Sequence, residues 1–237
     1  MPTLLVFGAR NLGRVIAQEL GAAGWNTAAV ARSDETIDRF RAELPQALGI
    51  VADAGNDADV ERAFAETRER FGSVDLVVNA ITASPRGSFG GGSIAEAPAD
   101  AMEPYVDGLL PGIFNVFRIG ARELLGAGAG TIVQITGGSS RRGMPGRGPW
   151  AAAAFATRGL VQSAAAELRE QNVHVALLIV DATIESPKTE QWLAGKSPEE
   201  SASMEEIAAA VAYLAAQSPR AWTHELQLTP AGDRWVP

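Results

Sequence analysis

Short apolar runs that alternate with amphipathic stretches constrain the fold of this 237-residue sequence more than any other feature. Length and composition predict buried strands at Thr3–Phe7, Thr27–Ala31, Gly49–Ala52, Val74–Asn79, Thr131–Thr136, Val173–Val180 and Glu225–Leu228. Helical periodicity and end signals predict helices at Asn11–Leu20, Asp57–Phe71, Asp100–Leu125, Pro149–Gln171 and Met204–Gln217. Because parallel strands need crossover helices, this alternation predicts a doubly wound α/β domain over residues 1–237, with helices on both faces of a parallel sheet.

Composition excludes several classes of protein. The net charge of −8 gives no electrostatic footprint for nucleic acid and repels anionic membranes. The sequence has no cysteine, which excludes disulfides, thiolate metal sites and cysteine nucleophiles. His174 and His224 lack the spacing of metal ligands, so we expect structural roles for them and no metal site. No apolar run has the length of a membrane span, and we expect a cytoplasmic protein.

Two segments interrupt the alternation. Thr82–Pro98 contains four glycines and is expected to be a loop. Asp181–Ser203 is polar and is also expected to be a loop. It follows the sixth predicted strand, a place where α/β sheets carry ligand-covering segments.

The turn after the first strand has the chemistry of an anion site. Gly8 permits a tight turn, Gly13 permits close approach of the backbone, and a helix N-terminus supplies N–H donors to a pyrophosphate. The spacing does not match G-x-G-x-x-G. Arg14 and Val15 also stand where a phosphate-cradling loop of nucleoside triphosphatases has Lys and Ser or Thr. The residues alone therefore leave two interpretations open, a nucleotide-binding turn and an ordinary strand–helix turn.

Several segments, in order along nearly the whole chain, carry a family resemblance. They are Gly8–Gly13, Val51–Asp53, Asp75–Ala80, Gly130–Ile135, Gly143–Gly146 with the Ala-rich stretch after Trp150, and Ile184–Pro187. They resemble motifs of the short-chain dehydrogenase/reductase family: its glycine turn, adenine-contacting Asp, Asn-containing strand end, serine strand, tyrosine–lysine helix and nicotinamide loop. The glycine turn is one residue shorter than the family's. The resemblance implies a single-domain Rossmann fold with strand order 3-2-1-4-5-6-7.

The resemblance also implies where a nicotinamide cofactor would bind. The corresponding positions are Gly8, Arg10, Asn11, Leu12, Gly13, Arg32, Ser33, Asp53, Ala54, Asn79, Ala80 and Ile184. An acid at the end of the second strand would hold the ribose hydroxyls of NAD, whereas Arg32 suits a 2′-phosphate. We therefore expect NADP(H) to be preferred over NAD(H), with Arg10 as a second contact. The alternative is that both arginines are solvated and the shortened turn binds no cofactor.

The family's Asn-Ser-Tyr-Lys tetrad is missing. Aligned on the flanking motifs, its four positions hold Leu109, Gly137, Trp150 and Ala154. An indole N–H does not titrate near neutrality, and alanine, glycine and leucine carry no polar side chain. No Tyr or Lys occurs between Leu109 and Pro187, so the loss does not depend on the exact alignment.

Two functions follow as hypotheses. The first is a non-catalytic family member, a subunit or cofactor sensor that binds NADP(H). The second is a divergent oxidoreductase acting on a carbonyl, hydroxyl or activated alkene. In the second hypothesis Ser139, Ser140, Arg141 or Arg142 would replace the tetrad; the alternative is that these four form a solvated loop. The family commonly pairs the Ala-rich helix and the preceding long helix across a two-fold axis, so we expect a dimer or tetramer, or assembly with an active paralogue.

Overall fold

Seven strands form one parallel sheet in the computed structural model, which describes residues 1–82 and 92–233. Their order across the sheet is β3-β2-β1-β4-β5-β6-β7. The strands are Thr3–Phe7 (β1), Asn26–Ala31 (β2), Leu48–Val51 (β3), Leu76–Asn79 (β4), Gly130–Gly137 (β5), Val173–Val180 (β6) and Glu225–Leu228 (β7). Every neighbouring pair is parallel. The predicted fold class and strand order are confirmed.

Helices cover both faces of the sheet. They are Leu12–Ala22 (α1), Asp34–Glu43 (α2), Asp57–Phe71 (α3), Glu103–Val106 (α4), Leu110–Ala127 (α5), Gly148–Leu168 (α6), Glu190–Leu193 (α7) and Met204–Ala215 (α8). On one face α3, α5 and α6 bury Phe64, Ile113 and Val161 against β1, β4 and β5. On the other face α1, α2 and α8 bury a second apolar cluster that includes Ile16 and Val211. Burial on both faces explains why the central strands are continuous apolar runs rather than alternating ones.

Local sequence signals set several helix ends. The side chains of Ser33, Asn56 and Ser203 accept backbone N–H groups at the starts of α2, α3 and α8. Gly72 ends α3 with a φ of +94°, a conformation that residues with a Cβ rarely adopt. These signals act within a few residues, so the bounds predicted for α3 agree with the structure.

The structure corrects two helix assignments. The polar segment between β2 and β3, for which no helix is predicted, forms helix α2; its buried anchors are Ile37 and Phe40. The single helix predicted for Asp100–Leu125 is wrong, because the chain forms α4 and then α5. Pro111 stands at the start of α5 and lacks an N–H, and its ring would clash with the carbonyl of Asp107 in a continuous helix.

The two segments predicted to be loops, Thr82–Pro98 and Asp181–Ser203, have different outcomes in the structure. Residues 83–91 of Thr82–Pro98, with three of its four glycines, lie outside the described residues. Asp181–Ser203 was predicted to be a loop, but it contains α7 and a 3-10 turn at Pro198–Glu200. A bridge between Ile184 and Ala202 closes this segment on itself. In the parts of the chain that the structure describes, no helix is both long and apolar enough to cross a membrane.

Candidate functional site

The predicted cofactor residues gather at the carboxyl edge of the sheet. β1 lies between β2 and β4. From β1 the chain first adds strands on one side of the sheet, β2 and β3, and then on the other side, from β4 to β7. In open α/β sheets the crevice outside the strand ends at such a point is the usual place for a ligand. Gly8, Arg32 and Asn79 are at or just beyond the ends of these three strands.

The glycine turn is seated tightly on the end of β4. Gly8 has a φ of +106°, and a Cβ added there would lie 2.8 Å from the carbonyl oxygen of Ala80. A Cβ on Gly13 would lie 2.5 Å from the carbonyl oxygen of Gly8. Both positions therefore require glycine, which supports the sequence interpretation of this turn as a close approach of backbone segments.

The turn presents a row of backbone donors. The N–H groups of Gly8 and Ala9 donate to the carbonyl of Val30, at 2.9 and 3.0 Å. Within residues 1–82 and 92–233, the N–H groups of Arg10, Asn11, Leu12 and Gly13 meet no acceptor. Asn11 caps α1 without a side-chain hydrogen bond. These four donors stand at the positive end of the α1 dipole, which is the arrangement that binds phosphate groups.

A small cationic cleft opens beside the turn, between α1 and α2. Its volume is about 200 Å³, and its lining residues are Ala9, Arg10, Arg14, Ser33, Glu35, Thr36, Arg39 and Phe40. Arg14 pairs with Glu43 at 2.7 Å and Arg39 pairs with Glu35 at 3.3 Å. No carboxylate in the described residues forms an ion pair with Arg10.

The lining of this cleft differs from the sequence expectation. Arg32 is exposed at the end of β2 and is not a lining residue. Arg14 and Arg39, which are not among the predicted cofactor residues, line it instead. Arg39 could not be found from the sequence because helix α2, which carries it, was not predicted. Ser33 lines the cleft, but its Oγ accepts the N–H of Thr36 at 3.3 Å.

The other predicted cofactor positions lie on the neighbouring strand ends. Asp53 is exposed, and its Oδ1 accepts the N–H of Gly55 at 2.9 Å. Ala54 is buried beneath Asn115, whose Nδ2 donates to the Ala54 carbonyl at 3.1 Å. Asn79 is fully buried, so its side chain is part of the floor of the site rather than a surface contact. Ile184 is half-buried in the segment after β6, and Ala80 follows β4.

The four positions that the sequence aligns with the tetrad lie on β5, on α6 and just before α5. Gly137 ends β5, and Trp150 and Ala154 lie one turn apart near the start of α6. Leu109 precedes α5 and is 6% exposed, within the apolar core. None of these four side chains carries a titratable group, so none of them could act as a proton donor.

The structure brings one tyrosine to this region that the sequence spacing did not place there. The ring of Tyr105, on α4, lies 5.7 Å from the ring of Trp150 in an edge-on arrangement. Tyr105 is 1% exposed. The contact depends on the packing of α4 against α6, which no local pattern between residues 105 and 150 encodes.

The residues after β5 do not form the solvated loop considered from the sequence. Ser139 and Ser140 are buried in a 3-10 turn, and the Oγ of Ser140 donates to the carbonyl of Gly137 at 2.9 Å. Arg142 binds both carboxylate oxygens of Asp181, at 2.5 and 3.0 Å. Arg141 donates to Oε1 of Gln227 at 2.6 Å. Both arginines therefore tie the ends of β5, β6 and β7 together instead of pointing freely into a substrate site.

Comparison with known proteins finds a matching family model and several related reductases and dehydrogenases. Residues 7–226 match the family model described as Enoyl-(Acyl carrier protein) reductase. The chain is 29% identical to a putative ketoacyl reductase of the granaticin polyketide synthase from Streptomyces violaceoruber, covering 80% of this chain and 70% of that protein.

Two further relatives carry NADP in their descriptions. An NADPH-dependent pterin aldehyde reductase from Arabidopsis thaliana is 30% identical, covering 74% of this chain and 72% of that protein. An alcohol dehydrogenase from Thermococcus sibiricus, solved with 5-hydroxy-NADP, superposes with a TM-score of 0.82 at 25% identity and full coverage of both chains.

Proposed function

The chain belongs to the short-chain dehydrogenase/reductase family, and from that premise we propose that it binds NADP(H) at the glycine turn without the family's tyrosine-based proton transfer. The observation that carries the proposal is the row of four backbone donors at Arg10–Gly13, which have no acceptor in the described residues. Arg10 is exposed and Asn11 and Leu12 are half-buried, so a ligand can reach these donors, and a diphosphate at the helix N-terminus satisfies several of them at once. The residues present therefore fit the diphosphate of a dinucleotide even though the turn is one residue short.

Preference for NADP(H) is supported by the charge of the neighbouring cleft. Arg10, Arg14 and Arg39 line it together with Glu35 and the hydroxyls of Ser33 and Thr36. Arg14 is paired with Glu43 and Arg39 with Glu35, but the Arg39–Glu35 pair is exposed, and exposed ion pairs contribute little free energy that a phosphate would have to overcome. Guanidinium groups bind phosphate through paired, charge-assisted hydrogen bonds. The names of two relatives, an NADPH-dependent reductase and a dehydrogenase solved with 5-hydroxy-NADP, agree with this preference.

The proposed role is that of a cofactor-binding subunit or sensor. A bound nicotinamide would supply the hydride chemistry, and the protein would have to supply the proton and its positioning. Leu109, Gly137, Trp150 and Ala154 supply neither. Loss of an acid–base group costs roughly a hundred- to ten-thousandfold in rate. The arginines after β5, which could have polarised a carbonyl, are engaged with Asp181 and Gln227.

A second candidate function, a divergent oxidoreductase, is favoured by the position of Tyr105. Its phenol ring lies against Trp150, the residue that stands in place of the family's tyrosine. In this candidate Tyr105 would supply the proton for an activated carbonyl or alkene. Turnover of NADPH by the wild-type protein that is lost in Tyr105→Phe would favour this candidate over the first.

Cofactor affinity provides the test of the proposal. NADPH and NADH are titrated against the melting temperature and the tryptophan fluorescence, because a ligand of the native state raises the melting temperature with concentration. NADPH is expected to bind more tightly than NADH. Arg39→Ala is expected to weaken NADPH binding about tenfold while leaving NADH unchanged, the loss of one charged contact to the 2′-phosphate.

The matched control is Arg70→Ala, since Arg70 lies on α3 against Phe71 and away from the cleft. Equal affinities for the two cofactors would refute the 2′-phosphate preference. The absence of any response to either cofactor would refute cofactor binding itself.

A further inference from the structure

Two amide side chains lie side by side in the buried centre of the sheet. Asn79 ends β4, and Gln134 is its register partner on β5. The two residues are 0% and 1% exposed. Val77 and Ile132, two residues earlier on the same strands, belong to the apolar cluster under α3, α5 and α6, and side chains two residues apart on a strand share a face. Both amides therefore point into an apolar layer, away from solvent.

Each of these amides is only half satisfied by the protein. Oδ1 of Asn79 accepts the N–H of Ile81 at 3.3 Å. Nε2 of Gln134 donates to the carbonyl of Ile135 at 2.8 Å and, over a longer distance of 3.4 Å, to the carbonyl of Asn79. Nδ2 of Asn79 and Oε1 of Gln134 are buried, and neither has a hydrogen-bond partner within residues 1–82 and 92–233.

The backbone determines which end of each amide is the donor. The N–H of Ile81 needs an acceptor, so the Asn79 atom that faces it is the oxygen. The carbonyl of Ile135 needs a donor, so the Gln134 atom that faces it is the nitrogen. Turning either amide over would place two acceptors or two donors against each other. The two free atoms are therefore one donor, Nδ2, and one acceptor, Oε1.

A water molecule has the hydrogen-bonding groups that this pair lacks. Buried polar groups in folded proteins nearly always have a partner, which is either protein or ordered water. One water can accept from Nδ2 of Asn79 and donate to Oε1 of Gln134, and two polar partners are enough to hold a buried water. The bond from Nε2 to the Asn79 carbonyl brings the Gln134 amide beside the end of β4. Neighbouring strands lie about 4.8 Å apart, a separation that a single bridging water spans.

We propose that Nδ2 of Asn79 and Oε1 of Gln134 bind one buried water, which joins the ends of β4 and β5 beneath the candidate site. The water fixes the Asn79 amide in the orientation in which its oxygen accepts from Ile81. The carbonyl oxygen of the preceding residue, Ala80, lies against the glycine turn, 2.8 Å from a Cβ added at Gly8. The water is thus part of the floor on which the glycine turn rests, and it is held whether or not a cofactor binds.

A crystal structure of the wild-type protein tests the water directly and needs no variant. Electron density is expected at hydrogen-bond distance from both Nδ2 of Asn79 and Oε1 of Gln134. A direct hydrogen bond between these two atoms, with no water between them, would overturn the proposal.

Water relaxation dispersion, measured on ¹⁷O, gives the same test in solution, because it counts internal waters that stay longer than the protein takes to tumble. Gln134→Met keeps the length of the side chain and removes both amide atoms, so this variant is expected to lose one long-lived water relative to the wild type. Gln162→Met is the matched control, since the Gln162 amide is exposed and bonds to Glu225, and its count is expected to stay unchanged. An equal count in Gln134→Met and the wild type would contradict the shared water.

Melting temperatures separate a shared water from two independent amides. Asn79→Leu and Gln134→Met each remove the water and leave the free atom of the other amide buried without a partner, so each is expected to lower the melting temperature. The double variant leaves no such atom, and its loss is expected to be smaller than the sum of the two single losses. Additive losses would show that the two amides do not share a ligand.

Discussion

Two adjacent glycines at the end of β5 differ in what surrounds them. A Cβ added at Gly137 would meet only the carbonyl oxygen of Val180, at an ordinary contact distance of 3.8 Å. A Cβ added at Gly138 would overlap the carboxylate of Asp181, which Arg142 holds in place. Glycine is therefore required at position 138 by close packing, whereas position 137 has room for a side chain.

We expect Gly138→Ala to destabilise the protein by about 2 kcal/mol, a typical cost of overpacking beside a buried ion pair. For a chain of this length that is a fall of roughly 5 °C in melting temperature. Gly137→Ser is expected to leave the melting temperature nearly unchanged, which makes it the matched control measured in the same calorimetric experiment. Equal losses in both variants would contradict the packing argument.

The same contrast applies to the missing tetrad. A variant that restores the tetrad combines four changes: Leu109→Asn, Gly137→Ser, Trp150→Tyr and Ala154→Lys. Because Gly137 has room for a side chain, the serine in this variant is expected not to lower the stability of the protein. Catalytic groups act as a unit, so restoring one of them alone should recover little activity.

At the scale of elements, β6 and β7 are joined at their amino ends by a histidine–tryptophan cluster. The ring of His174 stacks on the indole of Trp222, with centroids 5.1 Å apart, and its Nε2 lies 3.0 Å from the carbonyl oxygen of Thr223. His174 is 1% exposed, and burial together with His224 lowers its pKa from the ordinary value of 6.5. The cluster lies at the opposite edge of the sheet from the cofactor site and stabilises the pairing of the last two strands.

The lowered pKa predicts a pH dependence of stability with a definite sign. Below about pH 6.5 the unfolded chain protonates this histidine while the folded protein resists protonation, so the unfolded state binds more protons and the free energy of unfolding falls with decreasing pH. This contribution is complete above the unfolded pKa and is lost as the pH falls towards the folded one. Urea unfolding at several values between about pH 5.5 and 8 measures the slope.

His174→Gln is the variant that separates this effect from other titrations. Its absolute stability is expected to be lower, because the stacking on Trp222 is lost. The slope over the same pH range is expected to be shallower than in the wild type. An unchanged slope would show that His174 is not the group responsible.

At the scale of the whole molecule, the two long helices α5 and α6 expose apolar surface. Phe114 on α5 is 51% exposed and Phe155 on α6 is 45% exposed. Apolar residues lie around the whole of α6, which is typical of a helix covered on more than one side. The Ala-rich surface of α6 allows close approach of another helix, and these features support the expected assembly into a dimer or tetramer.

We expect sedimentation at micromolar concentration to give a species of at least twice the 24.8-kDa chain mass. The double variant Phe114→Glu and Phe155→Glu should dissociate it, because burying two carboxylates in an apolar interface is strongly unfavourable. Tyr213→Glu on α8, where the side chain is 57% exposed, is the control and should leave the assembly intact. A wild-type protein that sediments as a single chain would contradict the prediction.

The sequence by itself determined the order of the seven strands along the chain and the place of the glycine turn after the first of them. Strands buried on both faces must be continuous apolar runs, and caps such as Asn56 and stops such as Gly72 act over a few residues, so both can be recognised locally. Helix α2 was not predicted because most of its residues are polar. Its two buried side chains give only a weak helical periodicity of apolar residues. The break before α5 was encoded locally by Pro111, but the longer helical pattern around it obscured the signal.

Only the tertiary structure decided which side chains meet at the site. The structure places Arg39 beside Arg10 in the cleft, Tyr105 against Trp150 and Asp181 beside Gly138, and each of these pairs joins separate elements. Each depends on the crossing of helices and the alignment of strand ends, which are set by packing over the whole core and leave no periodic trace in the sequence. The residues at the positions aligned with the family's tetrad, in contrast, stay a prediction from the sequence alone, because the identity of a residue at a motif position does not depend on its neighbours in space.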